Sequence, residues 1–284
     1  MQTLTTIAEL RQQVRAWRQN GERIALVPTM GNLHAGHLQL VDEARRCADR
    51  VVVSIFVNPM QFSDAGGGDF ERYPRTFEAD RGKLEASGAD LLFFPSQQEM
   101  YPAGFENVTR VEVPGISDIL CGAFRPGHFV GVATVVAKLF NMVQPDVAVF
   151  GEKDFQQLLV IRRLTEELCF PVEILGVPTV REASGLAMSS RNQYLTAEER
   201  ERAAILYRTL QAAKTRLQAG EGTIATVESE ALATLADAGF RPEYFTVRRA
   251  RDLHPATPGD TELVILAAAW LGEARLIDNI RLRP

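Results

Sequence analysis

Much that commonly classifies a chain is missing from this one. It has three cysteines, Cys47, Cys121 and Cys169, and no C-x-x-C pair among them. An odd number of scattered thiols gives neither a disulfide framework nor a zinc site. Free thiols fit a reducing compartment, so a cytoplasmic location is expected. No apolar run approaches the roughly 20 residues of a membrane helix, and residues 267–271 are apolar but short, so no membrane partner is expected. The first ten residues contain Glu9 and lack a basic stretch followed by an apolar one, which argues against a signal peptide. A basic excess is also missing. The net charge of −5 argues against nucleic acid as the main partner. Neither G-x-x-x-x-G-K-[ST] nor G-x-G-x-x-G occurs, which disfavours a P-loop kinase and an ordinary NAD dehydrogenase. No internal repeat or low-complexity stretch is evident.

What is present reads as an ordinary globular enzyme. The 284 residues are 46% hydrophobic and 24% charged, enough for one large or two medium domains. In the first part, helix-like and strand-like segments alternate. Residues 4–20 read as a helix, with Leu4, Ile7, Leu10, Val14 and Trp17 at helical spacing and Asn20-Gly21 as the stop. Residues 23–27 read as a short buried strand and 38–50 as a helix. Residues 51–57 are a nearly continuous β-branched run, the mark of a strand covered on both faces. Gly66-Gly67-Gly68 lies within 63–73, which is read as a mobile surface loop. Helices are expected at 74–87, 131–143 and 155–169, and strands at 89–94, 109–113, 147–150 and 172–177. This alternation predicts an α/β fold, a doubly wound Rossmann-like parallel sheet. Near Pro178 the pattern changes. Thr196 caps a long helix, with Glu199 completing a capping box and Gly220 stopping it. A second helix, 224–238, and strands at 244–249, 263–270 and 274–279 follow. Residues 1–177 are therefore expected to form the nucleotide-binding domain, and 178–284 a smaller α+β domain covering the active site.

Chemistry gathers in a few places. His34-Ala35-Gly36-His37 sits between an apolar run and an amphipathic one, at a strand-to-helix turn. Such turns present ligands to the first N–H groups of a helix, and imidazoles add donors suited to phosphate. Gly36 permits close backbone approach, and Pro28-Thr29-Met30-Gly31 forms the pocket floor. No carboxylate cluster accompanies the histidines, so phosphate contact is favoured over metal ligation. Gly151-Glu152-Lys153-Asp154 follows another strand, where a lysine can meet a phosphate as a point charge. Asp154 can also cap the following helix. Met188-Ser189-Ser190-Arg191-Asn192 puts two hydroxyls and a guanidinium in one loop, an anion clamp suited to a triphosphate. Asn58 and Gln61, after strand 51–57, and Gln156 and Gln157, one turn beyond Lys153, supply uncharged amides for a small polar acid. Arg125-Pro126-Gly127-His128 is read as a helix entry.

These segments carry a resemblance. Val27 to His37, Val53 to Phe62, Tyr73-Pro74-Arg75-Thr76, Arg125 to His128, Phe150 to Gln157 and Met188 to Asn192 resemble, in order, the motifs of pantoate–β-alanine ligases. That family is related to class I aminoacyl-tRNA synthetases and nucleotidylyltransferases. The resemblance implies an ATP-dependent condensation of (R)-pantoate with β-alanine through a pantoyl adenylate, releasing pyrophosphate and AMP. It implies that Met30, Gly31, Asn32, Leu33, His34, Ala35, Gly36, His37, Gly151, Glu152, Lys153, Asp154, Val180, Met188, Ser189, Ser190 and Arg191 frame ATP. His34, His37, Lys153 and Arg191 would be catalytic, with His37 favoured as proton donor. Asn58, Gln61 and Gln157 would hold pantoate, and Gln61 would also meet β-alanine. The glycine-rich 63–73 segment would serve as a lid over the adenylate. Mg²⁺ is expected with ATP, and Asp80 matches an acidic stretch that would bear it, although Ala79 and Lys83 depart from that stretch. A homodimer is expected.

Overall fold

The computed structural model describes residues 1–62 and 69–283. The chain packs as two compact units, one from Met1–Glu152 and Val160–Pro178, the other from Lys153–Leu159 and Thr179–Pro284.

The first unit holds a six-stranded parallel sheet of β1 (Gln2–Leu4), β2 (Ile24–Thr29), β3 (Arg50–Ile55), β4 (Leu91–Phe93), β5 (Val147–Gly151) and β6 (Glu173–Val177). Their order is β1-β4-β3-β2-β5-β6. The order reverses at β2, with β3 and β4 to one side and β5 and β6 to the other. At such a switch point the loops leaving neighbouring strands diverge and open a crevice. The central strands are apolar on both faces because both are covered. Ala25, Val27, Val51, Val53, Val147 and Val149 cluster with Leu40, Val41 and Ala44 of a helix and with Leu84 of another. The intervening Ile24, Leu26, Val52 and Ala148 are equally buried.

The helices of this unit are α1 (Ile7–Gln19), α2 (Ala35–Cys47), α3 (Asp69–Arg72), α4 (Phe77–Ala86), α5 (Gln97–Met100), α6 (Cys121–Phe124) and α7 (His128–Val143). α8 (Phe155–Glu167) begins in the second unit and ends in the first. Thr6 caps α1 by accepting from the Glu9 N–H, and Leu10, Val14 and Trp17 form its buried stripe. α7 is buried on most of its circumference, which its predominantly apolar sequence requires.

The second unit packs α9 (Ala197–Gln218) and α10 (Ile224–Asp237) on an antiparallel sheet of β7 (Arg241–Arg249), β8 (Leu263–Leu271) and β9 (Ala274–Leu282). Leu206, Leu210, Val227, Leu235, Phe245, Val247 and Ile265 form its core. The capping box holds: Thr196 Oγ1 accepts from the Glu199 N–H at 3.2 Å, and Glu199 accepts from the Thr196 N–H at 2.9 Å.

Three expectations need correction. Residues 2–4 belong to strand β1, and the helix starts only at Ile7, because Thr6 is the residue with extended backbone and a capping oxygen. Residues 109–113 form no strand; Val111 N–H is taken by the Thr134 hydroxyl at 3.0 Å instead of by a sheet neighbour. The 63–73 segment is not loop throughout, since Asp69–Arg72 is helical. The rest of the expected lid, residues 63–68, lies outside the described residues. Among the described residues no helix is long and apolar enough to cross a membrane.

Candidate active site

The histidine turn stands at the carboxyl end of β2, the strand where the sheet order reverses. Gly31 and Asn32 both have positive φ, 82° and 51°. A Cβ on Gly31 would lie 3.1 Å from Ile55 Cγ2 and 3.2 Å from an Asp80 oxygen, so glycine suits this corner sterically as well as conformationally. Asp80 is 1% exposed. Its two oxygens accept from the main-chain N–H groups of Asn32 at 2.7 Å and Leu33 at 2.8 Å, and Thr76 donates to it at 3.0 Å. Lys83 Nζ donates to the Leu33 carbonyl at 2.6 Å. Thr29 Oγ1 accepts from the Gly31 N–H at 3.2 Å. The approach to the turn is thus held by buried Asp80, by half-buried Thr29 and by the exposed Lys83 side chain.

The two histidines then cap α2 reciprocally. His34 Nδ1 accepts from the Gly36 N–H at 3.2 Å, and His37 Nδ1 accepts from the His34 N–H at 3.3 Å. Their ring centroids are 4.1 Å apart. A ring nitrogen that accepts carries no hydrogen, so each neutral ring bears its hydrogen on Nε2. The turn therefore presents two like-oriented tautomers, fixed by the backbone, at a helix N-terminus that already favours anions.

A second set of residues in the same unit surrounds Gln61, which ends a 3₁₀ turn, Pro59–Gln61. Asn58 and Gln61 are 1% and 7% exposed. Asn58 Nδ2 donates to the Gly131 carbonyl at 3.0 Å and to Gln61 Oε1 at 3.2 Å, and Asn58 Oδ1 accepts from Tyr101 Oη at 2.8 Å. Gln61 Nε2 lies 2.9 Å from Met30 Sδ. The Gln61 carbonyl accepts from His128 Nδ1 at 2.9 Å, with Arg125 Nη2 at 3.5 Å. Gly127 opens α7 with φ 78°, so the Arg125–His128 segment is a helix entry as expected. It also grips the amide turn, which the sequence reading missed. α7 comes so close that a Cβ on Gly131 would lie 2.5 Å from the Met60 carbonyl carbon.

Gly151 and Glu152 end the first stretch of the first unit, and the second unit carries the remaining expected residues. Lys153 lies in the 3₁₀ turn Glu152–Asp154 directly after β5, with Nζ 3.9 Å from Asp154. Its main-chain carbonyl accepts from Asn279 Nδ2 at 3.0 Å. Gln156 is buried and Gln157 half-buried at the start of α8. Val180 and Met188 are paired directly, the Met188 N–H donating to the Val180 carbonyl at 3.0 Å. Ser189 caps the 3₁₀ turn Ser190–Tyr194 by accepting from the Arg191 N–H at 3.2 Å. Asn192 Nδ2 donates to the Ala187 carbonyl at 3.0 Å and to Glu182 at 3.1 Å. Arg181 makes a two-pronged pair with buried Asp278, at 2.6 and 2.9 Å, and lies 3.6 Å from the centroid of the Tyr207 ring. Strand β9 thereby fastens both the 180–192 segment and Lys153. The Asp278-Asn279 pair set between Ile277 and Ile280 in β9 was the available signal, and both residues are buried, which such residues rarely are without a task.

Asp80 does not fit the Mg²⁺ role expected of it. Both its oxygens are committed to N–H donors, and Lys83 Nζ stands 3.9 Å away. Among the described residues no group of three or more His, Cys, Asp or Glu is arranged to hold a metal ion. Asp80 instead shapes the histidine turn.

Comparison with known proteins matches this arrangement to one family. The family model described as pantoate-beta-alanine ligase matches residues 2–281. Pantothenate synthetase of Shewanella amazonensis is 60% identical over 280 residues, covering 99% of each chain. That of Azotobacter vinelandii is 57% identical, covering 99% of this chain and 98% of its own. The crystal structure of pantothenate synthetase from Thermus thermophilus superposes with a TM-score of 0.93 at 48% identity over 100% of both chains. Pantoate-beta-alanine ligase from Francisella tularensis, solved with beta-gamma ATP and beta-alanine, gives a TM-score of 0.82 at 33% identity, covering 99% of this chain and 97% of its own. The chain belongs to the pantoate–β-alanine ligase family, whose reaction is the ATP-dependent condensation of pantoate with β-alanine.

Proposed function

We propose that the chain joins (R)-pantoate to β-alanine in two steps. The pantoate carboxylate first attacks the α-phosphorus of ATP, forming a pantoyl adenylate and expelling pyrophosphate. The β-alanine amine then attacks the acyl carbon, giving pantothenate and releasing AMP. The observation that carries this reading is the family match across residues 2–281.

Attack by one anion on another needs the phosphate charge neutralised. His34 and His37 offer Nε2 hydrogens in a fixed orientation, and His37 acts as the proton donor. Lys153 and Arg191 contribute positive charge, and Ser189 and Ser190 hydroxyl donors. Met30 to His37, Gly151 to Asp154, Val180 and Met188 frame the nucleotide. Asn58, Gln61 and Gln157 hold pantoate through uncharged amides, and Gln61 also meets β-alanine. Catalysis rests on positioning and electrostatic stabilisation, without a covalent enzyme intermediate. Mg²⁺ accompanying ATP would neutralise phosphate charge, and Asp80, whose oxygens accept from main-chain N–H groups, would not be its ligand. The enzyme works in the cytoplasm as a homodimer, an assembly that sedimentation equilibrium measures directly.

ATP–pyrophosphate exchange tests the mechanism. Exchange should require pantoate and proceed without β-alanine, and AMP should accumulate only when β-alanine is added. Exchange that is equally fast without pantoate, or that never occurs, removes the adenylate route. His37→Ala and Lys153→Ala should each slow exchange by about 10²-fold or more, the scale of a lost charge-stabilising contact. Near-normal exchange in either variant takes that residue out of the machinery.

A further inference from the structure

The amides around Gln61 are connected in one direction. A main-chain carbonyl can only accept, so the atom of Asn58 facing the Gly131 carbonyl is the NH₂ nitrogen. The Met60 N–H can only donate, and it points at the other atom, Oδ1, at 3.4 Å. These two main-chain groups fix which way the Asn58 amide lies. Tyr101 Oη, 2.8 Å from Oδ1, must then donate its hydrogen. Asn58 Nδ2 also reaches Gln61 Oε1 at 3.2 Å, so the oxygen of Gln61 is engaged and its NH₂ is turned the other way. There Gln61 Nε2 meets Met30 Sδ at 2.9 Å, and a thioether is a weak acceptor that a stronger one displaces readily.

We infer that Tyr101, Asn58 and Gln61 form a one-way hydrogen-bond relay that makes Gln61 Nε2 a donor to the acid substrate. This rests on the reading that pantoate occupies the amide pocket, and it adds how the pocket recognises its substrate. The recognised atom is an acceptor, a carboxylate or hydroxyl oxygen. Tyr101 is a positioning residue, held 2% exposed at the far end of the relay. Burial pushes its hydroxyl well above the usual tyrosine range, which keeps it protonated and able to donate. Its ring is fixed in turn by Lys138, whose Nζ lies 5.1 Å from the ring centroid, and by Phe56, whose ring centroid is 6.0 Å away. A tyrosine that merely filled space would need the ring and not the hydroxyl.

The test is a steady-state comparison of Tyr101→Phe, Gln61→Glu and Gln61→Ala with the unmodified enzyme, using pantoate and ATP as the varied substrates. Gln61→Ala probes the pocket itself. If it leaves the pantoate KM unchanged, the pocket is assigned to the wrong substrate. With that control impaired, Tyr101→Phe should raise the pantoate KM by about 3- to 10-fold, the worth of one hydrogen bond, and leave the ATP KM within about twofold. Gln61→Glu keeps shape but puts an acceptor where the relay provides a donor. It should raise the pantoate KM by about 10²-fold or more. A pantoate KM unchanged in either variant, with Gln61→Ala impaired, overturns the relay. Should Tyr101→Phe fail to fold by circular dichroism, Gln61→Glu decides alone.

Discussion

The histidine turn and the lysine turn are both short connections that follow parallel strands, β2 and β5, and they are secured in opposite ways. The histidine turn is fastened by its own neighbourhood. Each ring accepts from a main-chain N–H of the same turn, His34 from Gly36 and His37 from His34, and Asp80 and Lys83 reach back 47 to 50 residues from α4. The lysine turn is fastened by the end of the chain. Asn279 holds the Lys153 carbonyl from 126 residues away, and its neighbour Asp278 anchors Arg181 across 97. One turn is a local device, and the other depends on a sheet built from the last part of the sequence. Positive charge on a flexible lysine gains from such distant bracing, because the side chain itself has many rotamers to choose among.

That contrast can be broken or sharpened. The largest effect is expected from Asp278→Ala, which strands a mostly buried Arg181. It should cost about 3–5 kcal/mol in denaturant unfolding. A loss no bigger than that of a surface substitution would mean that β9 is not the anchor. Asp80→Ala leaves the N–H groups of buried Leu33 and half-buried Asn32 without their carboxylate and should cost about 2–3 kcal/mol by the same measurement. The Mg²⁺ concentration for half-maximal activity should stay unchanged in Asp80→Asn. A marked rise there would restore the ion to Asp80 and weaken the view of the histidine turn as a locally braced device. The smallest effect is expected from Asn279→Ala, about 1 kcal/mol for one hydrogen bond. It should lower the rate of ATP–pyrophosphate exchange while sparing the pantoate KM. Equal damage to both would erase the distinction between the two turns.

Legibility in the sequence follows the range of the contacts. Thr196 with Glu199, and the β-branched run at Val51 to Val53, are readable because the relevant partners are three residues away or belong to a repeating pattern. The histidine turn is readable as an anion site, and its reciprocal caps are not, because a side chain's choice between ligand and backbone leaves no trace in residue type. β1 merges with the first helix in the sequence pattern because Leu4 fits a helical stripe as well as it fits a strand paired with β4. Asp80 suggests a metal ligand through its charge. Its true partners, the Asn32 and Leu33 amides, are main-chain groups that carry no signature. Tyr101 escapes notice because it joins Asn58 across 43 residues of intervening chain.

The contact at Gly131 has its own consequence. There the first turn of α7 and the Met60–Gln61 peptide meet backbone to backbone, with no room for even a methyl group. Side-chain substitution can adjust most active sites by degrees. This wall admits no gradation: any residue other than glycine at 131 must move the peptide that carries Gln61, so selection at that position acts on the pocket as a whole.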